Sequence, residues 1–205
     1  MFPNPGRLIV FEGIDGSGKT TQARILADVL REGCHVISTA EPTHGQYGRR
    51  LREIYANKVA ITPEAEMGLL LTDRHEHCEQ LVDPALASGA IVIQDRSWLS
   101  TIAYQTGATY DAGEIQELNK FASNIDVAFI LDVRVKTALE RIGDRAKGMK
   151  TSMESVGKLT LARAIYRTIG EGESAWTYVI NGEDRCAEEI SEEIMEILLN
   201  IDGFF

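Results

Sequence analysis

The chain has 205 residues, of which 44% are hydrophobic, and its formal net charge is −10. This length is enough for one domain whose apolar core needs neither disulfides nor a structural metal. The acidic balance disfavours nucleic acid as a partner, because proteins that coat nucleic acid neutralise its phosphates with clustered lysine and arginine.

The cysteines and the N-terminal residues bear on the compartment. Cys34, Cys78 and Cys186 lie far apart and form no C-x-x-C pair. This pattern indicates neither a disulfide framework nor a zinc site, and it fits a reducing cytoplasm. The first residues lack the pattern of a signal peptide, and nowhere do about 18 apolar residues run together. We therefore expect a cytoplasmic protein that does not insert into a membrane.

Short apolar runs alternate along the chain with longer segments of helical spacing. The predicted strands are 8–11, 36–39, 90–93, 127–131 and 176–180. The predicted helices are 19–32, 46–57, 63–88, 97–105, 111–123, 134–143, 154–170 and 184–200. Strands this apolar are buried on both faces, and their alternation with helices is typical of a parallel sheet. The pattern predicts one α/β domain over residues 1–205, with three layers and a five-stranded parallel sheet flanked by helices.

A glycine-rich segment follows the first predicted strand and opens the first helix. Residues 13–20, GIDGSGKT, satisfy the phosphate-binding pattern GxxxxGK[ST] of the P-loop. Lys19 is predicted to neutralise the β- and γ-phosphate oxygens of ATP, and Thr20 to bind Mg²⁺. GTPases, ATPases and kinases share this motif, so it does not identify the phosphate acceptor. The residues predicted to bind ATP are Gly13, Ile14, Asp15, Gly16, Ser17, Gly18, Lys19, Thr20 and Thr21.

Polar residues follow the third predicted strand, at the edge of the sheet where α/β proteins bind ligands. Asp95 can hold Mg²⁺ through water, and Arg96 can bind an acceptor phosphate with its planar fork. We expect Arg74 and either Arg49 or Arg52 at the same edge. The alternative, that these arginines form surface ion pairs in an acidic protein, stays open.

The segment 141–153 is basic and contains two glycines, unlike the rest of this acidic chain. Such a segment is typical of a short lid that closes over phosphates. A cation delivered on closure would neutralise the oxygens of the phosphoryl group in transfer. Arg145 is the first candidate for this catalytic arginine and Arg141 the second; a solvated charged loop is the alternative.

Four motifs together carry a family resemblance. They are FEGIDGSGKTTQ at 11–22, Glu-Pro at 41–42, Asp-Arg-x-Glu-His at 73–77, and Asp-Arg-x3-Ser-x3-Tyr-Gln at 95–105. In order and spacing the chain resembles thymidylate kinase over nearly its whole length. The resemblance implies a P-loop kinase fold, a homodimer, and transfer of the γ-phosphoryl group of ATP to dTMP with Mg²⁺.

The same resemblance implies roles for individual side chains. Asp15 would face the sugar hydroxyl and the acceptor phosphate, which Arg52 and Arg96 would bind. The expected substrate-binding residues are Asp15, Glu41, Arg52, Leu70, Arg74, Arg96, Ser100, Thr101, Tyr104 and Gln105, with Arg74, Thr101 and Gln105 at the base and Tyr104 under the deoxyribose. The expected catalytic residues are Lys19, Arg145, Asp15 and Arg96, and the expected metal-binding residues are Thr20 and Asp95.

Two positions depart from the family's usual pattern and leave other functions open. Ala40 stands where an arginine commonly precedes Glu-Pro, and Leu70 stands where an aromatic residue commonly stacks on the base. A leucine lacks ring-on-ring geometry, which is worth about 1 kcal/mol. The alternatives are a related kinase for another nucleotide or nucleoside, and a nucleotide-binding regulatory protein. The sequence contains no Asn-Lys-x-Asp tetrad that would read guanine.

Overall fold

The computed structural model describes residues 6–145, 153–172 and 175–205. Its strands are β1 Arg7–Glu12, β2 Val36–Ala40, β3 Ile91–Asp95, β4 Val127–Asp132 and β5 Thr177–Asn181. They form one parallel sheet in the order β2-β3-β1-β4-β5. Each of the five predicted strands is confirmed, with bounds within two residues of the prediction.

The helices lie between the strands along the chain, except the last helix, which follows β5. They are α1 Lys19–Leu30, α2 Gln46–Asn57, α3 Pro63–His77, α4 Asp83–Ala87, α5 Trp98–Gln105, α6 Ala112–Leu118, α7 Val135–Arg145, α8 Met153–Gly170 and α9 Ala187–Leu199. A π-helical turn, Cys78–Val82, joins α3 to α4. The predicted helix 63–88 is therefore continuous, but its hydrogen bonding changes just before Pro84, whose nitrogen cannot donate.

One helix is shorter than the sequence predicts. The segment predicted to be helical over 111–123 is helical only as far as Leu118. The side-chain amide of Asn119 donates to the Ile115 carbonyl oxygen at 2.7 Å. A polar side chain that bonds a nearby carbonyl in this way competes with the backbone ladder, and the helix ends there.

Helices cover both faces of the sheet. Ile9 and Phe11 of β1 point to one side and pack with residues of α1 and α9. Leu8 and Val10 point to the other side and pack with Val82 and Leu99. Because successive side chains of a strand point to opposite faces, this alternation buries β1 on both sides. The predicted three-layer α/β architecture is confirmed.

The sheet order brings the polar strand ends together. β1 lies at the centre, between β3 and β4, with Phe11 in register with Asp95. The chain leaves β1 for β2 and β3 on one side and later returns to β4 and β5 on the other, so the strand order reverses at β1. Ligands of open α/β sheets bind at the carboxyl ends of the strands beside such a reversal.

The predicted lid, 141–153, is described at its two ends. Residues 141–145 form the last turns of α7, so the helix predicted to end at residue 143 continues to Arg145, and α8 begins at Met153. Residues 146–152 lie outside the described residues, and the predicted lid falls mainly on them. Among the helices of the described ranges, none is long and apolar enough to cross a membrane.

Candidate active site

The P-loop connects β1 to α1 and is closely packed from behind. Gly13 has φ +133°, and a Cβ atom there would lie 2.5 Å from the Leu131 carbonyl oxygen. Gly16 has φ +82°, and its Cβ would lie 2.3 Å from the Ala138 carbonyl oxygen. Both positions therefore require glycine, for backbone conformation and for space. β4 and α7 hold the loop in place at the carboxyl edge of the sheet.

Lys19, the first residue of α1, is buried and donates from Nζ to the Ile14 carbonyl oxygen at 2.9 Å. Burial, together with the nearby Arg96 charge, lowers the pKa of Lys19 to about 8, against the opposing effect of Asp15 and other carboxylates. A buried ammonium beside a second cation lacks full charge compensation. An anion such as a phosphate group would supply that compensation.

The two residues predicted to bind metal come together from different elements. Thr20 Oγ1 donates to Asp95 Oδ2 at 2.5 Å. Asp95 Oδ1 is buried and has no hydrogen-bond partner among the described residues. Hydroxyl and carboxylate oxygens are the ligands that Mg²⁺ prefers, and Mg²⁺ takes most of its remaining ligands from water and phosphate. The unpartnered oxygen therefore fits the predicted metal.

Arg96, just after β3, has a left-handed backbone, with φ 72°. Its side chain forms an ion pair with Asp15. It also donates to Ser100 Oγ at 3.0 Å, and its guanidinium lies 5.4 Å from the centre of the Tyr104 ring. Burial raises the pKa of Asp15, but the charges of Arg96 and Lys19 outweigh it, so the net shift is downward. Three other residues predicted to face the acceptor, Asp15, Ser100 and Tyr104, thus lie around the Arg96 guanidinium.

These groups line one open cleft at the carboxyl edge of the sheet, with a volume of about 140 Å³. Pockets that enclose a whole small-molecule ligand run to roughly 300–1,000 Å³, so this cleft has the size of the phosphate-binding part of a larger site. It joins the P-loop to the acceptor-side arginine. Its lining residues are Asp15, Gly16, Gly18, Lys19, Thr20, Thr21, Asp95 and Arg96.

Arg74 of α3 lies in a buried polar network, with 3% of its side chain exposed. Its Nε and Nη2 contact Glu41 Oε2 at 2.9 and 2.8 Å, and Nη2 also donates to Thr101 Oγ1 at 3.1 Å. Nη1 donates to Asn119 Oδ1. Most N–H donors of Arg74 are therefore engaged by protein, with Glu41 and Thr101, two further predicted substrate residues, beside it.

Two other residues of α3 bind the end of β2 and the loop that follows it. His77 Nδ1 lies 3.0 Å from Glu41 Oε1, and His77 Nε2 lies 2.7 Å from Thr39 Oγ1. Asp73 accepts a hydrogen bond from the backbone N–H of Thr43 at 2.7 Å. Burial acts to raise the pKa of Glu41, but the Arg74 charge and the His77 contact give a net lowering. α3 therefore fixes the segment 39–43 through several polar bonds.

The arginines of α2 differ in their surroundings. Arg52 is exposed and donates to the carbonyl oxygens of Pro42 and, at 3.4 Å, Thr43. Arg49 donates to the His44 carbonyl oxygen at 2.7 Å. Arg50 pairs with Glu53 at 3.5 Å on the exposed face of the helix, which is an ordinary surface ion pair. Arg52 lies beside the loop that α3 fixes.

The remaining predicted base-pocket residues lie on α3 and α5. Leu70 is partly buried on α3. Gln105 Nε2 lies 3.4 Å from Glu66 Oε1, and the same oxygen accepts the Tyr55 hydroxyl at 2.8 Å. The two helices thus meet through polar side chains on the side of Tyr104 and Thr101.

Comparison with known proteins agrees with the motifs. The thymidylate kinase family model matches residues 11–194. This chain belongs to the thymidylate kinase family. The thymidylate kinase of Desulfotalea psychrophila is 39% identical over 170 residues, which are 82% of this chain and 84% of that protein. The thymidylate kinase of Akkermansia muciniphila is 39% identical over 195 residues, 94% of this chain and 91% of that protein.

A solved structure supports the same assignment. The crystal structure of thymidylate kinase from Ehrlichia chaffeensis superposes with a TM-score of 0.74 at 28% identity, covering 94% of this chain and 98% of that one. The family resemblance and the fold expected from sequence are therefore confirmed.

For this member of the thymidylate kinase family, the second candidate for the lid arginine lies against the P-loop. Arg141 of α7 donates to the Gly182 carbonyl oxygen at 3.0 Å and lies 3.4 Å from the Ser17 carbonyl oxygen. Arg145 is in the last turn of α7, and its side chain is outside the described part of the chain.

Sequence reasoning missed Glu12, Asn119 and Tyr166. Glu12 is fully buried, and Tyr166 of α8 donates to it at 2.7 Å. The signal for Glu12 was a charged residue at the end of an otherwise apolar strand. Asn119 and Tyr166 carried no local signal, because their partners Arg74 and Glu12 are distant in the chain.

Proposed function

We propose that this protein is a thymidylate kinase that transfers the γ-phosphoryl group of ATP to dTMP, giving dTDP and ADP. The observation that carries the proposal is the cleft in which the Asp15–Arg96 pair lies beside the P-loop residues Lys19 and Thr20. Donor and acceptor phosphates must lie next to each other for direct transfer, and this cleft has one cationic group on each side. Membership of the family supports the acceptor.

On the donor side, the backbone N–H groups of the P-loop and the start of α1 face the ATP phosphates. Lys19 binds the β- and γ-phosphate oxygens in place of the Ile14 carbonyl that it now contacts. Thr20 and Asp95 would hold Mg²⁺, which supplies positive charge to the phosphate oxygens during transfer. Their mutual hydrogen bond already sets the two oxygens side by side.

On the acceptor side, Arg96 binds the dTMP phosphate and Arg52 approaches it from the loop at Pro42 and Thr43. The Asp15 carboxylate, whose side chain is 63% exposed, faces the sugar hydroxyl and the same phosphate. Tyr104 supports the deoxyribose, and Thr101 and Gln105 border the base. Glu41, Leu70, Arg74 and Ser100 complete the acceptor site, Glu41 chiefly by holding Arg74.

Catalysis by this arrangement is mainly positioning and electrostatic stabilisation. Lys19 and Arg96 fix the two phosphates from opposite sides, and Asp15 keeps Arg96 oriented before the acceptor binds. We propose Arg145, carried by the 141–153 lid, as the cation that neutralises the group in transfer and helps to exclude water.

The function is tested by a coupled ADP-release assay with ATP, Mg²⁺ and each deoxynucleoside monophosphate in turn. We expect dTMP to be turned over far faster than dUMP, dCMP, dGMP or dAMP. Faster turnover of another monophosphate would support a related kinase and direct attention to Leu70 and Ala40. Tight ATP binding without turnover of any acceptor would support a regulatory protein instead.

We further propose that the enzyme is a cytoplasmic homodimer. The family resemblance supports the dimer. So do the partly exposed apolar side chains of Leu81 and Phe121. Phe121 packs on His75 of α3. The free thiols of Cys34, Cys78 and Cys186 fit a reducing compartment. Light scattering on a size-exclusion column measures the mass; a monomer at micromolar concentration would contradict the dimer.

A further inference from the structure

A buried carboxylate lies behind the acceptor-side arginine. Glu12, the last residue of β1, is 0% exposed. Its Oε1 accepts the backbone N–H and the hydroxyl of Ser97 at 2.6 and 2.7 Å. Its Oε2 accepts the hydroxyls of Ser100 and Tyr166, each at 2.7 Å. One side chain thus joins β1 to the turn after β3, to α5 and to α8.

The first consequence concerns the backbone of Arg96. Its left-handed conformation is sparsely populated for residues other than glycine and persists only when the surrounding structure fixes it. The Arg96 N–H donates to the Phe11 carbonyl oxygen at 2.9 Å, and the Arg96 carbonyl accepts from Gln94 Nε2 at 2.8 Å. Glu12 holds the next N–H of the turn, that of Ser97, so the turn is hydrogen-bonded on both sides.

The second consequence concerns the Arg96 side chain. Ser100 Oγ accepts from Arg96 Nη1 at 3.0 Å and donates to Glu12. A hydroxyl has a single proton, and a carboxylate can take it but offers none in return. Glu12 takes the Ser100 proton while a lone pair of that hydroxyl accepts from the guanidinium, so Ser100, which also lies 2.8 Å from the Tyr166 hydroxyl, bridges Glu12 to Arg96.

We propose that Glu12 is a positioning residue for Arg96, acting on its backbone through Ser97 and on its guanidinium through Ser100. The inference rests on the proposed role of Arg96 as the ligand of the acceptor phosphate. Among the described residues, the Glu12 carboxylate is hydrogen-bonded to Ser97, Ser100 and Tyr166, and it acts on Lys19 of the ATP cleft through its charge. Its loss should weaken the acceptor side more than the donor side.

The experiment measures KM for dTMP, KM for ATP, kcat and Tm for wild type, E12Q, Y166F and D126N. In E12Q an NH2 group replaces one carboxylate oxygen, and this NH2 faces two donors from which it cannot accept a hydrogen bond. We therefore expect KM for dTMP to rise about tenfold and KM for ATP to change less than about twofold. Y166F keeps the aromatic packing and removes one of the four bonds, so we expect a rise of about threefold. D126N is the matched control.

Like Glu12, Asp126 is a carboxylate that accepts hydrogen bonds from a side chain and a backbone N–H, here those of Arg7 and Leu8. Asp126 lies at the amino edge of the sheet, away from the cleft. D126N should lower Tm and leave both KM values near those of the wild type. A double-mutant cycle with R96A adds a measurement that general destabilisation would not affect. Without the Arg96 side chain, E12Q should raise KM for dTMP much less than it does in the wild type.

A folded E12Q with unchanged KM for dTMP, or with equal rises for dTMP and ATP, overturns the proposal. If E12Q does not fold, Y166F decides it, because an unchanged KM for dTMP in that variant has the same meaning. A wild type that turns over no monophosphate contradicts the proposed function and with it this inference. An active wild type with insensitive Glu12 and Tyr166 variants contradicts the inference alone.

Discussion

At the scale of single residues, the cleft is controlled by a few charges that lie close together. Lys19 and Arg96 are both buried enough to interact strongly, and Asp15 lies between the P-loop and Arg96. Protein groups partner both cations: Lys19 contacts a backbone carbonyl and Arg96 contacts Asp15. Under the proposed function, we expect bound nucleotides to replace these protein contacts of Lys19 and Arg96 by phosphate contacts.

The lowered pKa of Lys19 predicts a pH dependence of ATP binding. The free protein holds Lys19 with a pKa of about 8, and a bound phosphate favours the charged form, which raises that pKa. Affinity should be level below pH 8 and weaken above it, approaching tenfold per pH unit. Titration calorimetry measures the ATP affinity from pH 6.5 to 9.5, which is about 1.5 units either side of the Lys19 pKa.

Lys19→Arg is the matched variant for that measurement, because an arginine stays charged over the whole range. Its ATP affinity, whatever its level, should not change between pH 8 and 9.5, a range set by the Lys19 pKa of about 8. An equal slope in both proteins would assign the dependence to another group.

Arg145 is the arginine proposed to neutralise the phosphoryl group in transfer. If it acts in the transition state, Arg145→Ala should lower kcat at least about a hundredfold and leave ATP binding nearly unchanged. Arg167→Ala is the control, since Arg167 pairs with Glu171 on the exposed face of α8. Steady-state kinetics and ATP calorimetry decide it; an Arg145→Ala enzyme with normal kcat would exclude this arginine from the mechanism.

At the scale of elements, α3 and α2 together hold the loop that follows β2, and Arg52 of α2 donates to its carbonyl oxygens at Pro42 and Thr43. Asp73 and His77 are four residues apart on α3 and therefore lie on one face, where they contact Thr43 and Glu41. Arg74 on the same helix contacts Glu41 as well. The position of the loop therefore depends on polar bonds between its own residues, Glu41 and Thr43, and the side chains of α3.

Gly48 of α2 tests this dependence. A Cβ atom at this position would lie 2.2 Å from the Thr43 carbonyl oxygen, so Gly48→Ala must displace the loop or the helix. We expect a loss of about 1–3 kcal/mol of unfolding free energy from this overpacking and a raised KM for dTMP. Denaturant unfolding and steady-state kinetics measure the two effects.

Gly68 of α3 provides the matched glycine, because a Cβ there meets no atom of the described residues within 4 Å. Gly68→Ala should gain about 0.5–1 kcal/mol of stability, as expected for removing glycine from an exposed helix position. A Gly48→Ala enzyme as stable and active as Gly68→Ala would show that the loop tolerates displacement.

At the scale of the whole molecule, the site is a product of strand order. The P-loop follows the central strand β1, and Asp95 and Arg96 follow its neighbour β3, so the two meet although about eighty residues separate them in the chain. α8 reaches the same place from beyond the predicted lid, through Tyr166. Glu12, from the first third of the chain, thus binds Ser97 and Ser100 from the middle third and Tyr166 from the last.

The sequence by itself determined the features that depend on local pattern. Apolar runs gave the five strands because burial on both faces requires them, and the spacing GxxxxGK[ST] gave the phosphate-binding turn because its glycines are needed next to β4 and α7. The family motifs predicted Asp15, Arg74 and Arg96 as site residues.

Only the tertiary structure decided how these residues are partnered. Arg74 is hydrogen-bonded to Glu41, Thr101 and Asn119, the nearest of which is 27 residues away in sequence. Glu12 accepts a hydrogen bond from Tyr166, which is 154 residues away. Periodicity reports which face of an element is buried, but not which element covers it. The strand order decides that, and here it determines which buried carboxylate supports which arginine.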